Sequence, residues 1–182
     1  MRERLGRAAV MVVIVGGCLT AVVAPAEAQR RQPRTSQVRP LLQELLDKAE
    51  IQELLAEYMR LLEARDWVRY AELFAKNGEL HFNQYHLVGS QVIRDTMMKI
   101  APSDPKQPAP SAADLLTNVS IEVKGDVATG VSRWTGVTLG TDNRPVITRA
   151  GRYQDSFVRE NNRWRFQKRV VLVDVTPAEP AR

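Results

Sequence analysis

The chain is short of cysteine, histidine and concentrated charge, and each shortage removes a class of function. Its single cysteine, Cys18, lies within an early apolar run. The sequence downstream has no thiol, so disulfides, thiolate nucleophiles and cysteine-ligated zinc or iron–sulfur centres are excluded there. Only two histidines occur, His81 and His86. With no convincing third ligand beside them, no metal site is expected. A glycine-rich phosphate loop, a Walker pattern and a Gly-x-Ser-x-Gly elbow are all missing, which leaves nucleotide chemistry and serine hydrolysis without their residues. The formal charge is only +5 over 182 residues, with the arginines spread among acids. Nucleic-acid recognition needs a basic stripe, and the one cluster, Arg163, Arg165, Lys168 and Arg169, reads as the solvated face of a strand. No nucleic-acid partner is expected.

What is present begins with a leader. Met1–Arg7 carries three arginines, Ala8–Val23 is apolar, and Ala26-Glu27-Ala28 fits a small-residue cleavage site. This is the pattern of a secretory signal peptide, with a hydrophobic core too short for a stable membrane span. Val15-Gly16-Gly17-Cys18 is a rival, a lipoprotein-type box, weakened by its leading Val and the apolar residues after Cys18. Cleavage after Ala28 is the expectation, giving a periplasmic or secreted protein whose formal charge falls to +4. Residues 29–39 are polar and arginine-rich and read as a disordered linker. One domain is expected over residues 40–176, and residues 177–182 read as a frayed tail.

Within the domain, Pro40 suits the first turn of a helix. Ile51, Leu54, Leu55, Tyr58, Leu61 and Leu62 then recur at helical spacing as one apolar stripe. Asp66 is placed to cap a second helix, Trp67–Lys76, stopped by Asn77-Gly78. A short strand follows at Glu79–Asn83, and Ser90 caps a third helix through Lys99. Pro102, Pro105, Pro108 and Pro110 make a loop. Four long strands complete the chain: Leu115–Lys124, Val127–Leu139, Val146–Arg159 and Trp164–Val175. Helices first and meandering strands after predict an α+β fold, three helices packed on one curved antiparallel sheet.

Strand alternation puts Tyr153, Asp155 and Phe157 on one face of the third long strand. A carboxylate in phase with two aromatics is out of place unless it is paired or lines a cavity. Asp155 is therefore read as a general base or an electrostatic partner for a ligand, against a salt bridge to Arg149 or Arg152. Tyr58 offers a hydroxyl from the helical stripe. His81 is the natural proton shuttle if it faces the same cavity, and His86 is expected to meet solvent. Trp67 and Trp164 read as packing anchors.

The segments Asp47–Tyr58, Arg65-Asp66-Trp67, Glu72–Gly78, Gly89–Ile93, Leu116–Val119, Gly151–Asp155 and Trp164-Arg165-Phe166, in this order, resemble the SnoaL-like branch of the nuclear transport factor 2-like superfamily. The resemblance implies a cone-shaped α+β barrel with a pocket between the concave sheet and the helices, and frequent dimerisation through the sheet. It does not imply one chemistry, since the superfamily holds dehydratases, isomerases, hydrolases, cyclases and non-catalytic binders. In the scytalone dehydratase-like group a tyrosine–aspartate pair and two histidines do the work. Aligned on Arg65-Asp66-Trp67, that pair falls on Leu62 and Glu63, one histidine on Asn118, and the other near Val131. Relatives often carry a histidine where this chain has Asp114. The resemblance also puts Asn118 and Asp155 at pocket-facing positions. The expectation is a homodimer that binds a small, mostly apolar organic ligand without a cofactor. Asn118, Tyr153, Phe157, Trp134, Leu62 and Glu63 would contact the ligand. The alternative is a cofactor-independent lyase or isomerase using Asp155, Tyr58 and His81.

Overall fold

The structure is a computed structural model that describes residues 34–102 and 112–176. The leader, residues 29–33, Pro105, Pro108, Pro110 and the tail from Pro177 lie outside the described residues. The elements run α1 (Arg34–Ala64), α2 (Trp67–Glu72), β1 (Phe74–Phe82), β2 (Tyr85–Val88), α3 (Ser90–Ile100), β3 (Ala112–Lys124), β4 (Val127–Leu139), β5 (Pro145–Glu160) and β6 (Arg163–Val175). No helix among the described residues is long and apolar enough to cross a membrane.

Helix α1 begins at Arg34, so Arg34–Arg39 are helical rather than linker, and Pro40 lies inside the helix rather than in its first turn. The apolar stripe buries Ile51, Leu54, Leu55, Tyr58 and Leu61 against the sheet. Arg65 ends the helix in the left-handed region at φ 52°. Its N–H bonds Leu62 O, and the Asp66 N–H bonds Leu61 O, which closes the last carbonyls. Asp66 then caps α2 by accepting from the Arg69 N–H at 3.1 Å.

The second helix stops at Glu72, four residues short of the expected Lys76. Phe74 instead pairs with Phe166 to open β1. Packing overrides propensity here: Phe74 and Phe166 are both fully buried, with rings 5.2 Å apart. Gly78 is not a helix stop. A Cβ there would sit 2.7 Å from the Phe166 carbonyl oxygen, so glycine lets β1 close on β6. Helix α3 carries Gly89 rather than Ser90 at its N-cap.

The strands form one six-stranded sheet in the order β2-β1-β6-β5-β4-β3. The β3–β6 meander and the β1–β2 hairpin are antiparallel, but β1 runs parallel to β6, so the sheet is mixed rather than wholly antiparallel. Asn161 and Asn162, both at positive φ, close the β5–β6 hairpin in the two-residue turn that suits strand twist. Arg159, at the end of β5, ties α1 down by pairing with Asp47 and lying 4.6 Å over the Trp164 ring. The result is an α+β cone with the helices against the inner face of the sheet.

Candidate functional site

A cavity of about 530 Å³ opens between the helices and the inner face of the sheet. That volume suits a small organic molecule. Tyr58 and Leu62 come from α1, Trp67 and Tyr70 from α2, and Met97 and Ile100 from α3. Leu80 and Phe82 come from β1, Trp134 from β4, Tyr153 from β5, and Val171 and Val173 from β6. Glu63, Arg65, Asp114 and Arg149 give the wall its charge.

The inner part of the cavity is aromatic, and its hydroxyls are organised. Tyr70 donates to the Tyr58 hydroxyl at 2.9 Å, which leaves the Tyr58 proton available to another acceptor. Burial pushes all three phenols, Tyr58, Tyr70 and Tyr153, above their ordinary pKa, so they remain neutral donors. The buried indole N–H of Trp134 meets no acceptor among the described residues. Trp134 fits against the sheet because Gly151 lies opposite it: a Cβ at Gly151 would come within 2.8 Å of the indole and collide with the Leu172 carbonyl.

Charge gathers where β3, β4 and β5 run side by side. Asp114 pairs in register with Gly136, and Gly136 with Arg149. The space a Gly136 side chain would fill is bounded by Asp114 Oδ1 and the Arg149 side chain. Burial raises the Asp114 carboxyl above its ordinary pKa, Arg149 pulls it back and Glu63 adds to the rise. Glu63 also accepts the Asp114 backbone N–H at 3.2 Å. Arg149 lies 5.6 Å over the Trp134 ring, so the charged group and the aromatic wall are continuous.

Asp155 does not line this cavity. Its two oxygens accept from Arg169 Nε and Nη2, each at 2.8 Å, and both side chains are buried. Arg169 is the residue expected on a solvated strand face, and it is instead fully enclosed. Its guanidinium lies 4.0 Å from the Tyr58 ring, 4.1 Å from Tyr153 and 4.3 Å from Phe166. The reason is a bulge. Ser156 pairs with Lys168 but Phe157 with Phe166, so Gln167 is an extra residue that flips the phase of β6. Phe166 and Arg169 thus both point inward.

The remaining expectations divide. Leu62, Glu63, Trp134 and Tyr153 line the cavity with Tyr58. Phe157 lies in the core below, packed on Phe166 at 5.3 Å. Asn118 is exposed at a bulge in β3, at φ 51°, and forms no part of the cavity wall. His81 belongs to the other face of β1, alternating with Leu80 and Phe82, and contacts Glu79 and His86. The expected triad of Asp155, Tyr58 and His81 therefore does not converge. Sequence reasoning missed Arg149, Tyr70 and Asp114 as site residues. Only Asp114 carried a signal, as the acid standing where relatives have histidine.

The SnoaL-like domain profile matches residues 43–170. The chain belongs to the SnoaL-like family. Its domain resembles Rv3472, a Mycobacterium tuberculosis protein of unknown function. That pair is 25% identical with a TM-score of 0.64, over 74% of this chain and 76% of the other. A second match to this SnoaL-like domain in fold is an NTF2-like protein with a cystatin-like fold from Novosphingobium aromaticivorans. It is 22% identical at TM-score 0.67, over 76% of this chain and 89% of that one. A protein of the same organism, described provisionally as a scytalone dehydratase, is 20% identical at TM-score 0.60 over 76% and 91%. No curated protein matches the chain.

Proposed function

We propose that this SnoaL-like domain binds a small, mostly apolar organic ligand in the cone cavity. The observation that carries the reading is an aromatic wall of Tyr58, Trp67, Tyr70, Trp134 and Tyr153 into which the polar side chains of Glu63, Asp114 and Arg149 are set. An apolar ring body would rest on Trp134, Tyr153 and Leu62, and a polar substituent would meet Asp114 and Arg149. Enclosed aromatic pockets with a few convergent polar groups are the usual form of small-molecule sites. The test is ligand capture: incubate purified protein with a small-molecule extract of its source cells, then compare the wild type with Leu62→Trp by native mass spectrometry. A discrete added mass on the wild type alone supports the reading; equal or absent adducts on both contradict it.

A catalytic version of this reading shifts to Asp114. Its raised carboxyl beside Arg149 is the group in the cavity best suited to move a proton. Isomerase or dehydratase turnover that vanished in Asp114→Asn and survived in His81→Ala would establish it. The fold relative described as a scytalone dehydratase makes dehydration one reaction to assay.

Export and pairing belong to the same proposal. The leader supports release into the periplasm or medium with Gln29 as the new N-terminus, and intact-mass analysis of exported protein checks it. A diacylglyceryl-modified Cys18 would contradict that. Val131 and Ile147 are 50% and 65% exposed, which supports a second copy covering apolar sheet surface. Light scattering at micromolar concentration should give a dimer mass, and a monomer throughout contradicts it.

A further inference from the structure

The two histidines form a cluster on the opposite side of β1 from the cavity. His81 and His86 are direct cross-strand partners in the β1–β2 hairpin, and their ring centroids lie 3.7 Å apart with the planes tilted by 54°. Glu79 precedes His81 by two residues on the same strand and so shares its face. Its Oε2 lies 2.8 Å from His81 Nε2 and 3.4 Å from His86 Nε2. One ligand atom from each of the three residues lies within 4.8 Å of the others. Expectation from sequence found no third ligand for these histidines; strand register supplies it in Glu79.

We propose that Glu79, His81 and His86 form a site for a borderline divalent transition-metal ion of the zinc class. Bonds of about 2.0–2.1 Å in a tetrahedral set put neighbouring ligand atoms roughly 3.3 Å apart. The separations of 2.8 and 3.4 Å from the carboxylate to the two imidazoles bracket that value, and side-chain rotation has to draw together ligand atoms that all lie within 4.8 Å of one another. Two imidazoles and one carboxylate suit zinc, nickel or copper rather than magnesium or calcium, which prefer oxygen. The His81 and Glu79 side chains are half-buried, whereas His86 is exposed, so an ion can enter and retain water. A fourth group shares the carboxylate: Lys168 Nζ is 3.3 Å from the same Glu79 oxygen, across the β1–β6 register. A bound dication would take over that ammonium's role. It would also staple the four-residue edge strand β2 to β1.

The experiment uses untagged protein freed of metal with a chelator and titrated with Co(II), followed by visible d–d absorption. The expected result is one saturable equivalent, displaced by Zn(II), with Zn(II) raising the melting temperature. His86→Ala removes an exposed side chain and should fold normally. It should weaken Co(II) binding at least tenfold, as even the loss of a supporting group does at metal sites, and abolish the Zn(II)-induced rise in melting temperature. Glu79→Gln should weaken binding comparably. Absence of saturable binding, or equal affinity in the wild type and His86→Ala, would overturn the proposal.

Discussion

Asp155 and Arg169 face each other across β5 and β6 and are joined by two hydrogen bonds of 2.8 Å, with neither side chain reaching solvent. The pair is a foundation for the cavity rather than part of its surface. Arg169 is held against the rings of Tyr58 and Tyr153, both of which line the cavity. The pair thereby fixes the position of those two phenols in the cavity wall.

Asp155→Asn should therefore be a stability mutation. It keeps size but leaves the Arg169 charge buried without its counter-ion. Breaking such a pair costs about 3–5 kcal/mol. Thermal denaturation should show a large fall in melting temperature, while protein that remains folded still binds ligand. An unchanged melting temperature with lost binding would return Asp155 to the site.

Gly151→Ala should be similarly severe, for a steric reason. The added methyl group meets the Leu172 carbonyl oxygen and the Trp134 ring, so β6 or the indole must move. A lower melting temperature together with altered Trp fluorescence is expected. Gly125→Ala, where nothing lies within 4 Å of the new atom, is the control. It should lose only the smaller amount due to its left-handed φ of 63°.

Acid should loosen the attachment of α1. Burial pushes the Asp47 carboxyl up, but hydrogen bonds from Arg159 and Gln43 outweigh it and hold the pKa below its ordinary 3.8. With the folded pKa lowered, this stabilisation is present above the unfolded value and is lost as pH falls through the folded one. Asp114, raised by burial, works in the opposite direction. Asp47→Asn should melt below the wild type at pH 6, and the gap should narrow below about pH 4. A gap that stayed constant to about pH 2, well under the ordinary carboxylate range, would remove the ion pair from the account.

How far the sequence discloses this molecule depends on whether strands stay in phase. The α1 stripe and the four long strands were legible because Ile51 to Leu61 and Tyr153 to Phe157 keep their periods. The fold class followed from their order. Arg169 was not legible: strict alternation from Trp164 and Phe166 sends it to solvent, and only the bulge at Gln167 brings it in. The same hidden residue misdirected Asp155, whose partner was sought in Arg149 and Arg152. Phe74 was assigned to a helix because its partner, Phe166, is distant in sequence. Tyr58 and Trp134 could be named as candidates from the stripe and the strand. Asp114 and Arg149 become one site only through the β3–β4–β5 register across Gly136.

Whether the cone cavity is the ligand site can be read from the indole N–H signals of the three tryptophans. Both Trp134 and Trp164 carry a buried indole N–H with no acceptor among the described residues, but Trp134 lines the cavity, whereas Trp164 packs beneath Arg159 away from it. Uniformly ¹⁵N-labelled protein would be titrated with a panel of bicyclic aromatic phenols and ketones. At least one compound should shift the Trp134 indole resonance saturably while Trp164 stays in place. A panel that leaves Trp134 unmoved, or moves both signals together, would contradict it.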